Sequence, residues 1–390
     1  MATRVVTVPT SRAAVREAHR LSRVASRSIL LLVVPVLLLA VVGLGAILSA
    51  SSVLALRETG DGLYYFKRQL AWLLLGGLGM TFAALIPLHW WRRMAFPLFV
   101  TTLGLLAAVL VIGVRANGAQ RWIAAGPVSI QPSEIAKLTT VLFLATWVSR
   151  RETSVHRFTH FFWPVAASVG SVFALVMWQP DLGTALLIAS GAFAVLVASA
   201  VPFVYVAGSG LLASGAALAL AYTSDYRWAR VTAFLDLEAD PLGTGYQAMQ
   251  SLVALGTGGL WGVGLGASRA RWSFLPNAHT DFVFAILGEE TGLAGSIVVV
   301  LLFVAFTVAG VLIALRAGDR FGRLLAIGIT TWISTQALVN IGGVTGVLPI
   351  TGVPLPFVSF GGTALVVAMV GAGILISIAR DRPSIAVTRR

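Results

Sequence analysis

Long apolar runs separated by short polar segments make up most of this sequence. Ten of the runs are long enough to cross a ~30 Å hydrocarbon core as helices, at roughly 20 residues per crossing. They cover residues 29–50, 69–88, 94–114, 134–149, 162–178, 183–200, 202–222, 282–315, 324–346 and 361–379. The pattern predicts an all-α polytopic membrane protein with about ten transmembrane helices.

The positions of the basic residues predict how the chain is oriented. Most of the Lys and Arg residues fall in residues 1–28, 90–93, 149–160, 316–323 and 380–390. Because cytoplasmic segments carry an excess of Lys and Arg, both termini are predicted to be cytoplasmic. The first apolar run is longer than the hydrophobic region of a signal peptide, which favours an uncleaved anchor.

This orientation divides the chain into a basic cytoplasmic N-tail, one transmembrane domain and a short cytoplasmic C-tail. The predicted bounds are 1–28, 29–380 and 381–390. The longest polar stretch, residues 223–280, becomes a large outer loop between helices 7 and 8. Its glycine-rich part, residues 243–266, suits backbone that lies in the membrane interface or folds back into the protein, or else a tightly packed amphipathic loop.

Composition excludes several classes of protein. The chain of 390 residues is 57% hydrophobic and 11% charged, whereas about a quarter of a soluble protein is charged. It has no cysteine, which excludes disulfides and thiolate chemistry. The net charge of +13 follows the orientation pattern and does not indicate nucleic-acid binding. Nucleotide-binding, zinc-protease and GxSxG signatures are absent from the sequence.

Ionisable residues inside a predicted span are candidates for function, because a charge there is costly unless it is paired or hydrated. Glu134 and Lys137 lie three residues apart after Pro132, which suits the first turn of a helix. They are predicted to form an ion pair. The pair is either a structural brace or a contact for an anionic substrate.

A second group lies where the outer loop meets a long helix. Thr280 is predicted to cap that helix, which places Asp281 in its first turn at the membrane surface. An ionised Asp281 could accept a proton, or it could only assist the cap. His279 could be a proton shuttle, a ligand or a structural residue.

Further outer candidates combine a carboxylate with arginines. Asp181 lies in a tight turn, where it satisfies turn amides or faces a cation in a cavity. Arg121, beside Trp122, is the first choice for an anion site, against simple interfacial anchoring. Arg227 and Arg230 add guanidinium groups whose donors suit phosphate.

Seven separate motifs, in order from about residue 30 to 380, resemble the SEDS proteins, the family of FtsW and RodA. They are Gly118 to Ile123, Gln131 to Leu138, Gln179 to Thr184, Gly245 to Ser251, Leu275 to Phe284, Gly288 to Glu290 and Pro356 to Thr363. The segments around residues 275–290 are more similar to the division branch, FtsW, than to RodA.

The resemblance implies a ten-helix peptidoglycan glycosyltransferase of the bacterial cytoplasmic membrane, with its active site facing outward. It implies polymerisation of lipid II, a class B penicillin-binding protein as partner and other division-complex membrane proteins around it. Asp281 matches the family's essential outer-loop aspartate. No organic cofactor is expected; a divalent cation, Mg²⁺ or Mn²⁺, is left open.

Two departures and three alternatives accompany this interpretation. Asn277 stands where the family often has Glu, and the C-tail ends soon after Arg382. An elongation polymerase like RodA is the alternative within the family. A lipid II flippase, which the Glu134 and Lys137 pair would suit, and a non-enzymatic scaffold are the alternatives of other classes.

Overall fold

The structure, a computed structural model, describes residues 12–116, 119–126, 128–151, 158–199, 201–223, 228–229, 232, 234–236, 244–272 and 279–381. In this part of the chain the main helices are α1 (Arg12–Thr59), α2 (Tyr64–Leu85), α3 (Leu88–Ile112), α4 (Pro132–Arg150), α5 (Phe158–Trp178), α6 (Leu182–Val197), α7 (Phe203–Tyr222), α8 (Thr244–Gly258), α9 (Val283–Leu315), α10 (Arg320–Val344) and α11 (Gly362–Arg380).

Each of the ten predicted runs is a helix, and α8 is an additional helix in the predicted outer loop. Within the described residues, seven helices are long and apolar enough to cross a membrane: α1, α2, α3, α7, α9, α10 and α11. The apolar part of α6 is shorter, and α4 carries the Glu134 and Lys137 charges. The all-α polytopic class is therefore confirmed, whereas the count of ten spans and the orientation of the termini stay predictions.

A small antiparallel sheet, which the apolar pattern did not predict, joins α3 to α4. Its strands are β1 (Val114–Ala116), β2 (Ala119–Ala125) and β3 (Val128–Ile130), in the order β1, β2, β3. Gly126 has φ of +62° in the turn between β2 and β3, a conformation that glycine adopts without steric cost. The sheet places Arg121 beside the start of α6.

Helices α4, α6 and α10 pack closely in the interior of the bundle. A Cβ atom on Gly328 of α10 would lie 2.4 Å from Cγ1 of Val141 on α4, so a larger side chain would not fit. Trp332 of α10 is the largest of the fully buried side chains. Small residues that let helices approach are typical of membrane bundles, and here they hold α10 against the helices that carry the predicted charges.

Helix α9 is interrupted at Gly292, where φ is +68° and ψ is −166°. The broken turn is completed by residues 259–264, which follow α8. The amides of Val263 and Gly264 donate to the carbonyls of Glu289 and Glu290 at 3.0 and 3.1 Å. The last part of the glycine-rich segment therefore folds back onto the protein, which is one of its predicted outcomes.

The second half of this contact lies on the other side of the break. The amides of Leu293 and Ala294 donate to the carbonyls of Gly259 and Leu260 at 2.9 and 3.2 Å. Helix breaks at membrane depth are tolerated where neighbouring protein satisfies the freed backbone groups. We call residues 259–264 the strap.

The chain between α10 and α11 also folds into the bundle. Val353, Leu355, Phe357 and Val358 are each at most 3% exposed. Buried irregular backbone requires hydrogen-bond partners for its polar groups. Side chains of α2 and α10 supply several of them, and these bonds organise the candidate site.

Candidate active site

The predicted general base, Asp281, lies in a turn just before α9. The Nδ2 atom of Asn340 on α10 donates to its backbone carbonyl at 2.8 Å. The residue itself is partly exposed, whereas Phe282 beside it is buried. The backbone of Asp281 is thus anchored to the core.

The predicted capping of α9 is wrong. The helix begins at Val283 with Phe282 at its N-cap, and no side chain caps it. The carbonyl of Phe282 accepts the first hydrogen bonds of the helix, from the amides of Ala285 and Ile286. Because Asn340 binds the carbonyl of Asp281, Thr280 and Asp281 stay outside the helix.

His279 packs between two aromatic rings at the same turn. Its ring centroid lies 4.9 Å from that of Tyr65 on α2 and 5.8 Å from that of Phe360. Burial lowers the pKa of the His279 imidazole below its usual value, and the Glu58 carboxylate opposes this shift. The environment favours a neutral ring, which suits a structural residue or a proton acceptor.

Arg121 and Asp181 meet at the turn between α5 and α6. Asp181 caps α6 by accepting from the amide of Thr184 at 3.2 Å, so the turn role is present. Arg121 donates to the carbonyls of Gln179, at 2.9 Å, and Pro180. Its Nη1 atom lies 3.9 Å from Oδ1 of Asp181. The guanidinium group holds this turn while its side chain stays 29% exposed.

Glu134 and Lys137 form the predicted ion pair, with Nζ and Oε2 separated by 2.7 Å and side chains 3% and 1% exposed. Lys137 also donates to Oε1 of Gln336 on α10 at 2.7 Å and lies over the Trp332 ring. Trp332 donates to the same oxygen at 3.1 Å. These protein groups satisfy the buried ammonium, an arrangement typical of a structural brace.

One segment, residues 351–354, lies against the elements that carry the predicted site residues. Gln336 donates to the carbonyl of Pro354, and Asn340, one helical turn later, donates to that of Val353, both at 2.8 Å. On another side, a Cβ atom on Gly183 would lie 3.0 Å from the carbonyl oxygen of Thr351. Residues 351–354 therefore connect the surroundings of Lys137, Asp181 and Asp281, and we call them the central segment.

Sequence reasoning missed the two amides that organise this site. Gln336 and Asn340 are the two amide side chains of the predicted span 324–346 and lie four positions apart, and that spacing was the available signal. The backbone carbonyls to which they donate lie 13 to 59 residues away along the chain, which no local pattern indicates. A cavity of about 10 Å³ beside Asp281 and Asn340 is too small for a sugar ring.

Two buried carboxylates lie on α9, after Asp281 in the sequence. Glu289, 2% exposed, accepts from the hydroxyl of Ser268 and from the amides of Arg269 and Ala270. Glu290, 4% exposed, accepts from the hydroxyl of Ser49 on α1. These bonds fix the first half of α9 to its neighbours and give both carboxylates a structural role.

Arg227, Arg230 and Asn277 lie outside the described residues. Among the described residues, no group of three or more His, Asp and Glu side chains converges as a metal site. The divalent ion stays a prediction.

Taken together, the fold and the site define a class: a polytopic helical membrane protein with an aspartate whose backbone is anchored to the core just before a long helix. The family model described as "Cell cycle protein", that of FtsW, RodA and SpoVE, matches residues 29–384. The chain belongs to this family.

Individual relatives cover nearly the whole chain. It is 39% identical over 349 residues to the probable peptidoglycan glycosyltransferase FtsW of Geobacter sp. (strain M18), spanning 88% of this chain and 95% of the relative. It is 39% identical over 361 residues to stage V sporulation protein E of Bacillus subtilis (strain 168), spanning 90% and 96%.

Solved structures agree with this assignment. One, described as "Structural coordination of polymerization and crosslinking by a peptidoglycan synthase complex", contains a chain 29% identical to this one, with a TM-score of 0.75 and coverage of 90% of this chain and 97% of that one. The rod shape determining protein RodA of Thermus thermophilus is 28% identical, with a TM-score of 0.67 and coverage of 90% and 96%.

Proposed function

We propose that the protein is a peptidoglycan glycosyltransferase that polymerises lipid II on the outer face of the bacterial cytoplasmic membrane. The observation that carries the proposal is similarity along the whole chain to FtsW glycosyltransferases, at 39% identity and 95% coverage of the relative. The anchored Asp281 supports it, because glycosyl transfer requires a base at a fixed place.

The proposed reaction forms one glycosidic bond and breaks the bond between the anomeric carbon of the donor and the pyrophosphate oxygen. The 4-hydroxyl of the acceptor sugar transfers its proton to the Asp281 carboxylate as its oxygen attacks the anomeric carbon of the donor. Undecaprenyl pyrophosphate leaves with the bonding electron pair, and the anomeric configuration inverts. The pyrophosphate is already an activated leaving group, so the reaction requires no nucleotide.

Negative charge develops on the pyrophosphate as it leaves, and nearby cations would stabilise it. Arg121 is the described candidate, because its guanidinium group is partly exposed at the end of the bundle that holds the Asp181 turn. Arg227 and Arg230 are further candidates from the sequence. Cationic groups directed at charge that forms in the transition state are among the strongest contributions to catalysis.

The proposed partner is a class B penicillin-binding protein, which would cross-link the new strands. A structural relative of this chain is part of a peptidoglycan synthase complex, which supports a partner of this kind. The resemblance to FtsW favours septal synthesis in cell division, together with other division-complex membrane proteins. An elongation role like that of RodA is the alternative within the family.

The contacts of Glu134 and Lys137 favour a polymerase over a lipid II flippase. In the transporter hypothesis these charges would line a route for the substrate. In the structure their side chains are 3% and 1% exposed, and Lys137 contacts Gln336 and Trp332. Buried charges that are already paired with protein groups favour a structural role over a role in a substrate path.

The experiment is lipid II polymerisation by the purified protein with its class B partner, with transpeptidation blocked. Wild type and Asp281→Asn are compared on gels that separate glycan strands by length. We expect glycan ladders from wild type and a loss of at least about a hundredfold in Asp281→Asn, within the range for a general base.

Controls separate the other classes of function. Circular dichroism and co-purification with the partner establish that Asp281→Asn is folded. Lipid II movement across vesicles without glycan ladders from wild type would contradict the polymerase proposal and support the transporter. Complementation of a depletion strain by Asp281→Asn would support the scaffold.

A further inference from the structure

The side-chain amide of Asn340 joins two segments that are distant in the sequence. Both of its N–H groups are used: Nδ2 donates to the carbonyl of Asp281 at 2.8 Å and to that of Val353 at 2.8 Å. The residue is 5% exposed. The opposite orientation of the amide would bring Oδ1 against two carbonyl oxygens, so these partners fix the orientation.

A second bond anchors the same turn two residues earlier. The amide of Phe360 donates to the carbonyl of His279 at 3.0 Å. The carbonyls of His279 and Asp281 are therefore both bound by the chain from α10 to the start of α11. The turn is fixed on both sides of Thr280, while the Asp281 residue stays partly exposed.

Gln336 fixes the other end of the central segment. Lys137 and Trp332 both donate to its Oε1 atom, so its Nε2 atom is directed to the carbonyl of Pro354. Asn340 follows one turn later on the same helix face. Helix α10 thereby holds Pro354 through Gln336 and Val353 through Asn340. The Nδ2 atom of Asn340 donates to the carbonyls of both Val353 and Asp281.

We infer that Asn340 is a positioning residue for the proposed base: it sets the place of Asp281 relative to the substrate by holding the Asp281 and Val353 backbones together. The inference rests on the proposed glycosyltransferase function. Asn340 touches neither the acceptor hydroxyl nor the anomeric carbon and acts through Asp281. A base displaced by about 1 Å loses roughly a hundredfold in rate, because proton transfer needs hydrogen-bond contact with the hydroxyl.

The test replaces Asn340 with Ala and with Asp and measures kcat and KM for lipid II in the complex with the class B partner. Asn340→Ala removes both donors, and Asn340→Asp keeps the shape while directing an oxygen at two carbonyls. We expect kcat to fall by about tenfold to a hundredfold in both variants. KM should stay within about twofold, because uniform binding of substrate is unchanged.

Thr330→Val is the matched control on the same helix. Thr330 is 3% exposed, and its hydroxyl has no hydrogen-bond partner in the structure. Removing an unsatisfied buried hydroxyl from a nearly isosteric side chain should leave kcat and KM within about twofold of wild type. A loss of activity confined to Asn340 then separates positioning of Asp281 from general sensitivity of α10.

The pH dependence of kcat provides a readout that a merely structural role would not move. Release of the Asp281 backbone changes the surroundings of its carboxylate, so the acidic limb of the profile should shift in Asn340→Ala. A variant that only lowers the folded fraction would scale the profile without shifting it. Asn340→Ser, which keeps one donor, should fall between wild type and Asn340→Ala.

Two outcomes would overturn the inference and leave the proposed function standing. The first is polymerisation by Asn340→Ala with kcat within about twofold of wild type, against the loss of about tenfold to a hundredfold expected for a displaced base. The second is loss of the thermal transition in all three Asn340 variants while Thr330→Val keeps it, which would assign Asn340 to folding. Absence of glycan ladders from wild type would instead contradict the proposed function.

Discussion

Lys137 on α4 and Gln336 on α10 are joined by a hydrogen bond of 2.7 Å in the interior of the bundle. The bond connects the ion pair with Glu134 to the helix that anchors Asp281. The charged pair therefore belongs to the same network as the candidate site.

Replacing Lys137 with Met tests the brace directly. The change leaves the Glu134 carboxylate buried without its counter-ion, so we expect the free energy of unfolding to fall by about 3–5 kcal/mol. Thermal unfolding in detergent measures it. The double variant Glu134→Gln with Lys137→Met removes both charges and should recover most of the loss; equal instability of the single and double variants would contradict the brace.

Arg121 should affect substrate binding more than an exposed arginine of the same sheet. Loss of charge-assisted hydrogen bonds costs about 1.5–3 kcal/mol, which corresponds to a rise of at least about tenfold in KM for lipid II in Arg121→Gln. Arg115→Gln, at an exposed position on β1, is the control and should change KM by less than about twofold. Equal effects of the two variants would remove Arg121 from the substrate site.

The pKa of His279 predicts a loss of stability in acid. Burial lowers this pKa from 6.5, so the unfolded chain binds a proton at pH values where the folded ring stays neutral. Stability should decline as the pH falls below about 6.5 and level off below the folded pKa. Melting temperatures from pH 7.5 to pH 5 measure the slope.

Two variants identify the source of this slope. His279→Gln should flatten it, whereas His89→Gln, at an exposed histidine of α3, should leave it unchanged. A slope that persists in His279→Gln would assign the acid sensitivity to another group.

Gly292 should not tolerate a side chain. Its φ of +68° is strained for L residues, and a Cβ atom would lie 2.4 Å from the amide nitrogen of Gly262. We expect Gly292→Ala to cost about 3 kcal/mol or more in thermal unfolding. Gly77→Ala, at a helical glycine with no other atom within 4 Å of the added Cβ, should change stability by less than about 1 kcal/mol.

The sequence predicts the helices better than it predicts the connections between them. The apolar runs give the ten helices because burial in a membrane requires continuous hydrophobicity. The apolar run at 282–315 does not indicate the break at Gly292, since composition stays apolar across it. The sheet that begins at Val114 was missed for a related reason: β1 and β3 have three residues each, too few for a measurable periodicity, and β1 continues directly from the apolar run of α3.

The candidate site was predicted in its charges and not in its geometry. The spacing of Glu134 and Lys137 gave the ion pair correctly because both residues lie on one helix. The predicted cap at Thr280 was wrong, because a tertiary bond from Asn340 competes for the Asp281 carbonyl. Contacts between distant segments depend on how helices pack, and a single sequence does not encode that in a local pattern.

The strap restricts how the segment that bears Asp281 can move. Its first residues bind the part of α9 after Gly292, and its last residues bind the part before Gly292, which follows Asp281. The strap thus joins the two parts of α9 through four backbone hydrogen bonds, in addition to the covalent link at Gly292. If the part of α9 before Gly292 tilts, it must move residues 259–264 with it or break some of these hydrogen bonds. Movements of α8 and of the segment that bears Asp281 are therefore coupled.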